Sequence, residues 1–144
     1  MPFATPLALC GPLRQPRQML ATQAYGGHAS IHDDAMAGRL GFTAGPIEGP
    51  THFSQFVPLL AHLWGREWFE RGCFSAHYQT MVVEGESVRA FVELPAAGAR
   101  RARAWAAKGD GTLVLEASAS LLPDDSPTLL EARMAQLREP GPLV

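Results

Sequence analysis

The segment from Thr51 to Trp64 carries Phe53, Phe56, Val57, Leu59, Leu60, Leu63 and Trp64, which together cover most of the circumference of a helix. A helix that is apolar on nearly every side has no face to offer water, so the rest of the chain must enclose it. Thr51 or Gly49 can cap its start and Gly65 ends it. Pro58 has no N–H to give, which predicts a kink or one lost backbone bond within the segment. At 144 residues the chain makes one domain, large enough for a core without staples. A single enclosed helix in one domain calls for a curved sheet around it.

The sequence after Gly72 supplies that sheet. Cys73 to Val83 is rich in aromatic and β-branched residues, and Glu84-Gly85-Glu86 reads as a turn. Ser87 to Leu94 alternates Val88, Ala90, Val92 and Leu94 against Arg89, Phe91 and Glu93. Arg101 to Lys108 alternates in the same way, Gly109-Asp110-Gly111 makes a hairpin turn, and Thr112 to Leu122 alternates again. The expected organisation is therefore α+β. It has a loose lead-in over 1–17 with a short strand near 7–10, and a short helix over 17–25. A helix from Asp33 or Asp34 to Leu40 follows, within a Gly/Pro-rich segment over 28–50. The central helix spans 51–64, an antiparallel meander 73–122, and a last helix 126–139.

Composition narrows the function classes. Twelve Lys and Arg against fourteen Asp and Glu leave a net charge of −2, so bulk attraction to nucleic acid or an anionic membrane is not expected. No apolar run approaches the ~18–20 residues of a membrane span. Cys10 and Cys73 are too few for a disulfide framework or a Cys-rich metal site, and neither has a neighbour that would activate a thiol. The start Met1-Pro2-Phe3-Ala4-Thr5-Pro6 lacks the basic region of a secretory signal, so a reducing cytoplasm is the expected setting.

The segment Ile31-His32-Asp33-Asp34-Ala35-Met36-Ala37, then Gly41-Phe42, then Pro46-Ile47-Glu48-Gly49, resembles the MaoC-like branch of the hotdog fold, which includes R-specific enoyl-CoA hydratases and related dehydratases. The resemblance is specific over 28–50 and compatible with the chain through Leu122. It implies a single hotdog domain, an antiparallel sheet wrapped around one long central helix. It also implies an acyl-CoA or acyl-carrier thioester as substrate, no cofactor or metal, and a homodimer or higher oligomer with its pocket at the subunit interface. His32 and Asp34 fall on the family's His-x-Asp. Five residues before His32, where the family carries its catalytic Asp, the chain has Gly27, and the family's Asn-Pro is replaced by Ala29-Ser30. A hydroxyl that helps some members falls near Val57, and Ser54 stands one turn earlier on a nearby face.

Hydration of a 2-enoyl thioester needs a base for water, an acid for C2 and donors for the enolate oxygen. The resemblance makes His32 the proton shuttle; taken alone, it reads first as an Asp-paired surface histidine capping the 33–40 helix. Asp34 is either a partner to His32 or an orienter of its loop. His28, four residues earlier, can replace the missing Asp; two histidines alone are a weak metal signal, and no metal is expected. By the resemblance the oxyanion donor lies at Gly49 or its neighbours, though Pro50 has no N–H. Glu48 and His52 bracket the helix start and suit a hotdog thioesterase as the alternative chemistry; otherwise they satisfy backbone donors. Of His77 and Tyr78, on successive strand positions, one faces inward. Gln55 and Gln79 can bond each other or a ligand. Arg101 and Arg103, with Arg100, either hold the carrier's phosphates or form a solvated edge. A third reading is a non-catalytic acyl-binding subunit.

Overall fold

A computed structural model describes residues 7–20, 24–25 and 28–137, with residues 24–25 and 28–29 described by backbone alone. The sequence-level expectations for residues 1–6, 21–23, 26–27 and 138–144 lie outside the described residues.

Strand β1 (Ala8–Cys10) opens the chain, followed by the two-residue strands β2 (Ala24–Tyr25) and β3 (His28–Ala29) and helix α1 (Asp34–Arg39). Helices α2 (Gly49–Ser54), α3 (Val57–Trp64) and α4 (Arg66–Arg71) come next. Strands β4 (Gly72–Tyr78), β5 (Val88–Glu93), β6 (Arg101–Lys108) and β7 (Leu113–Leu121) and helix α5 (Leu129–Met134) complete the order. The main sheet is antiparallel in the order β1-β5-β6-β7-β4.

The sheet closes on the helix through small residues. Ala90, Ala102, Ala104, Ala106, Ala117 and Ala119 are all buried on its inner face. Their short side chains let the helix lie close, and Phe56 and Leu60 fill the space between them with Val88, Val92 and Leu115. The outward positions of the same strands hold Arg101, Arg103, Glu116 and Ser118, as the pleat requires.

The central helix differs from one unbroken 51–64 segment. It begins at Gly49 and divides at Gln55–Phe56, where Gln55 N–H bonds His52 O and Phe56 N–H bonds Phe53 O, both three residues back. The cause is Pro58, second in α3, which cannot donate to the Ser54 carbonyl. Gly65, at φ +57, then turns the chain directly into α4, a helix not anticipated from the sequence.

Other boundaries shift for identifiable reasons. Residues 24–25 pair with 28–29 in place of a 17–25 helix, since so short a helix is marginal alone. The lead-in is less loose than expected, because β1 pairs with β5 and Arg14 bridges Val88. Strand β4 stops at Tyr78, not Val83, and both Gln79 and Thr80 N–H groups turn to Val114 O. The last helix begins at Leu129, because Thr128 and Glu131 form a reciprocal capping box. Leu129 and Leu130 N–H groups bond Ser118 and Ser75 Oγ, fixing α5 to the outer face of β7 and β4. Among the described residues no helix is long and apolar enough to cross a membrane.

Leu60 is fully buried at the centre of this arrangement. Leu60→Ala is expected to lower stability by about 2–5 kcal/mol in urea unfolding. A loss below about 1 kcal/mol would contradict a core organised around this helix.

Candidate functional site

The site is built by the loop before α2. Asp33 caps α1 by accepting Met36 N–H at 2.9 Å. Asp34 Oδ1 accepts Gly45 N–H at 2.8 Å, drawing the loop back over the start of α1. Gly45 then lies directly on the backbone of His32: a Cβ at this position would stand 2.2 Å from the His32 carbonyl oxygen. Only glycine permits that approach. It brings the next carbonyl, that of Pro46, to 2.6 Å from His32 Nδ1.

A carbonyl only accepts, so His32 Nδ1 carries the hydrogen. Nε2 is then the nitrogen left to exchange protons with a bound molecule. The Pro46 carbonyl is itself held, since Gln18 Nε2 donates to it at 2.5 Å and to Gly45 O at 2.7 Å. Ile47 N–H bonds Val82 O at 2.7 Å, which ties the loop to the segment leaving β4.

His32, Gly49, His52 and Tyr78 line one open cleft of about 310 Å³, together with Pro46, Ile47 and residues 79–82. Gly49 is first in α2, so its N–H has no partner within the helix. Tyr78 Oη donates to Gly49 O at 3.0 Å, and burial pushes its phenol up to about 12, so it stays protonated. His52 is 2% exposed and its Nδ1 has no hydrogen-bond partner among the described residues. Burial holds its imidazole below the ordinary value, and the nearby Glu48 carboxylate opposes this in part.

The sequence-level candidates thus separate. His32, Gly49 and His52 come together. Asp34 orients the loop and does not line the cleft. Glu48 is buried at the N-cap of α2, where Oε1 accepts Met19 N–H at 2.5 Å, and it too is absent from the cleft wall. Ser54 is exposed on another face and donates to Thr51 O at 2.7 Å. His28 has its backbone in β3, and its side chain lies outside what is described.

Arg101 and Arg103 stand apart from the cleft that holds His32. They line a separate groove of about 480 Å³ beside α5 on the outer face of the sheet. Arg101 is consumed by Asp124 Oδ2 at 2.7 Å, Ser126 O at 3.0 Å and Pro127 O. Arg103 lies over the Trp105 ring at 5.5 Å and reaches Glu116 at 3.4 Å. The pleat decides this: the odd positions of β6 face away from the helix. Gln18 was not legible as a site residue. Tyr78 was legible only as one of two alternating strand positions.

Two outcomes test this geometry. Gly45→Ala should destabilise the protein by about 1–3 kcal/mol or more, read by thermal melting, because backbone and not a flexible side chain must move; an unchanged melt would contradict the contact. His52 gives a pH signature. The unfolded chain protonates it near the ordinary 6.5 while the folded protein keeps it neutral to lower pH, so its contribution is complete above 6.5 and shrinks as pH falls below it. Wild type should therefore lose more melting temperature between about pH 7.5 and 5.5 than His52→Gln does. Parallel losses would contradict a buried neutral imidazole.

No protein-family model matches the sequence, and no curated protein matches it. Solved structures do. An (R)-hydratase from A. caviae involved in PHA biosynthesis superposes with a TM-score of 0.59 at 18% identity, over 85% of this chain and 98% of that one. R-hydratase PhaJ1 from Pseudomonas aeruginosa, in the unliganded form, superposes with a TM-score of 0.58 at 15% identity, over 99% of this chain and 92% of that one. The chain has the hotdog fold of these (R)-hydratases, the fold that the resemblance over 28–50 implies.

Proposed function

We propose that the protein is an acyl-thioester hydratase or dehydratase acting on 2-enoyl or 3-hydroxyacyl thioesters. The observation that carries this reading is the hydrogen bond from His32 Nδ1 to Pro46 O, in a cleft shared with the first amide of the central helix. Hydration requires a proton taken from water as its oxygen bonds to C3, and a proton delivered to C2. With Nδ1 committed to Pro46, His32 exchanges protons at Nε2 and delivers the second of these from there when the ring is doubly protonated. The Gly49 N–H, unpaired within α2, suits the oxygen of the enolate formed between the two steps. The (R)-hydratase fold supports the same chemistry.

The thioesterase alternative would use Glu48 and His52. It has less support, because one Glu48 oxygen already accepts Met19 N–H and the carboxylate is withdrawn into the protein. A non-catalytic acyl-binding subunit would keep the cleft and lack turnover. A second copy belongs to the hydratase reading, since β4 is an open edge strand of the sheet. A reducing cytoplasm suits the free cysteines Cys10 and Cys73.

The test is a scan of crotonyl-CoA and longer 2-enoyl-CoAs, following enoyl absorbance and free thiol together. Wild type should consume the enoyl group without releasing thiol, and His32→Ala should be slower by at least about 100-fold. Thiol release would move the assignment to Glu48 and His52. Silence in both channels, with acyl-CoA raising the melting temperature, would leave a binding protein on this fold.

A further inference from the structure

Where the MaoC-like pattern carries its catalytic Asp, this chain has Gly27, which offers no titratable side chain. At that position the hydratase reading has no proton carrier. Among the described residues lining the cleft only His32, His52 and Tyr78 titrate. Tyr78 already donates to Gly49 O and remains a phenol. Asp34 is bound to Gly45 N–H and Glu48 to Met19 N–H, both away from the cleft wall. That leaves His52, which is 2% exposed, lines the cleft beside Gly49, and has an unpartnered Nδ1.

We infer that His52 is the second catalytic residue of the hydration, the base that takes the proton from water. The inference rests on the hydratase reading above. The step balances as follows. His52 accepts a proton from water as the water oxygen bonds to C3. The C2–C3 π pair moves through the thioester to its carbonyl oxygen. The enolate then collapses, and its electron pair takes the Nε2 proton of a doubly protonated His32 to form the C2–H bond. The proton on His52 returns to His32 before the next turnover, so the net change is one water added across the double bond.

The surroundings of His52 fit a base. Burial keeps the resting imidazole neutral and able to accept. The Glu48 carboxylate, one helical turn earlier, favours the imidazolium that forms. An unpaired buried ring nitrogen costs stability unless something else employs it, and a neutral structural histidine normally has a partner.

The experiment compares wild type, His52→Gln, His32→Ala and His28→Ala on crotonyl-CoA, with binding of unreactive butyryl-CoA measured in parallel. His52→Gln should lose about 10²–10⁴-fold in kcat, with KM within about threefold and butyryl-CoA binding retained. Three results overturn the inference and leave the hydratase reading standing: His52→Gln turning over like wild type, His52→Gln losing butyryl-CoA binding together with kcat, or His28→Ala showing the large kcat loss in its place. Absence of hydration by wild type would overturn both.

Discussion

The site depends on one close approach, the backbone of Gly45 against the carbonyl of His32. Four hydrogen bonds converge on that contact. Asp34 holds the Gly45 amide, Gln18 holds the Gly45 and Pro46 carbonyls, and His32 donates to the Pro46 carbonyl. The result is a loop whose last residues enter α2 with Gly49 lining the same cleft as His32. The rest of the fold supplies a rigid floor for this loop. Phe56 and Leu60 anchor the helix in the alanine-lined sheet, and Val82 accepts the Ile47 amide from the other side. Holding an imidazole through a backbone carbonyl fixes which nitrogen carries the hydrogen without adding a second charge.

The central helix carries an unusual cost on one face. Glu48, His52 and Gln55 stand at intervals of four and three residues, and each has a buried polar atom without a partner among the described residues. Each such atom costs about 1–3 kcal/mol if it stays unsatisfied. Natural proteins keep this kind of group where it serves binding or catalysis, or where water completes it. His52, on the cleft wall, is the one of the three for which we propose a use in chemistry. Glu48 contributes from behind, as a fixed negative charge one turn away.

Much of the fold could be read from particular residues. Phe56 and Leu60 marked an enclosed helix, Pro58 marked its break, and the alternation over Arg101 to Lys108 marked a strand. The resemblance at His32, Gly41-Phe42 and Gly49 pointed to the hotdog arrangement. The site was less legible. Gln18 acts on carbonyls 27 and 28 residues further along the chain, a relation that no local pattern encodes. For Arg101 and Arg103 the sequence left carrier phosphates and a solvated edge as equal readings, because charge near a strand start says nothing about which side of the sheet it occupies. Asp34 and Asp33 differ by one position, yet one caps a helix and the other orients a loop. That distinction needs the loop to be in place first.

The most direct test is histidine ¹⁵N NMR of the full chain during a pH titration, alone and with butyryl-CoA. The account predicts that neutral His32 carries its hydrogen on Nδ1 and that butyryl-CoA shifts both His32 and His52. A neutral His32 with its hydrogen on Nε2, or a pair of histidines indifferent to the thioester, would contradict it.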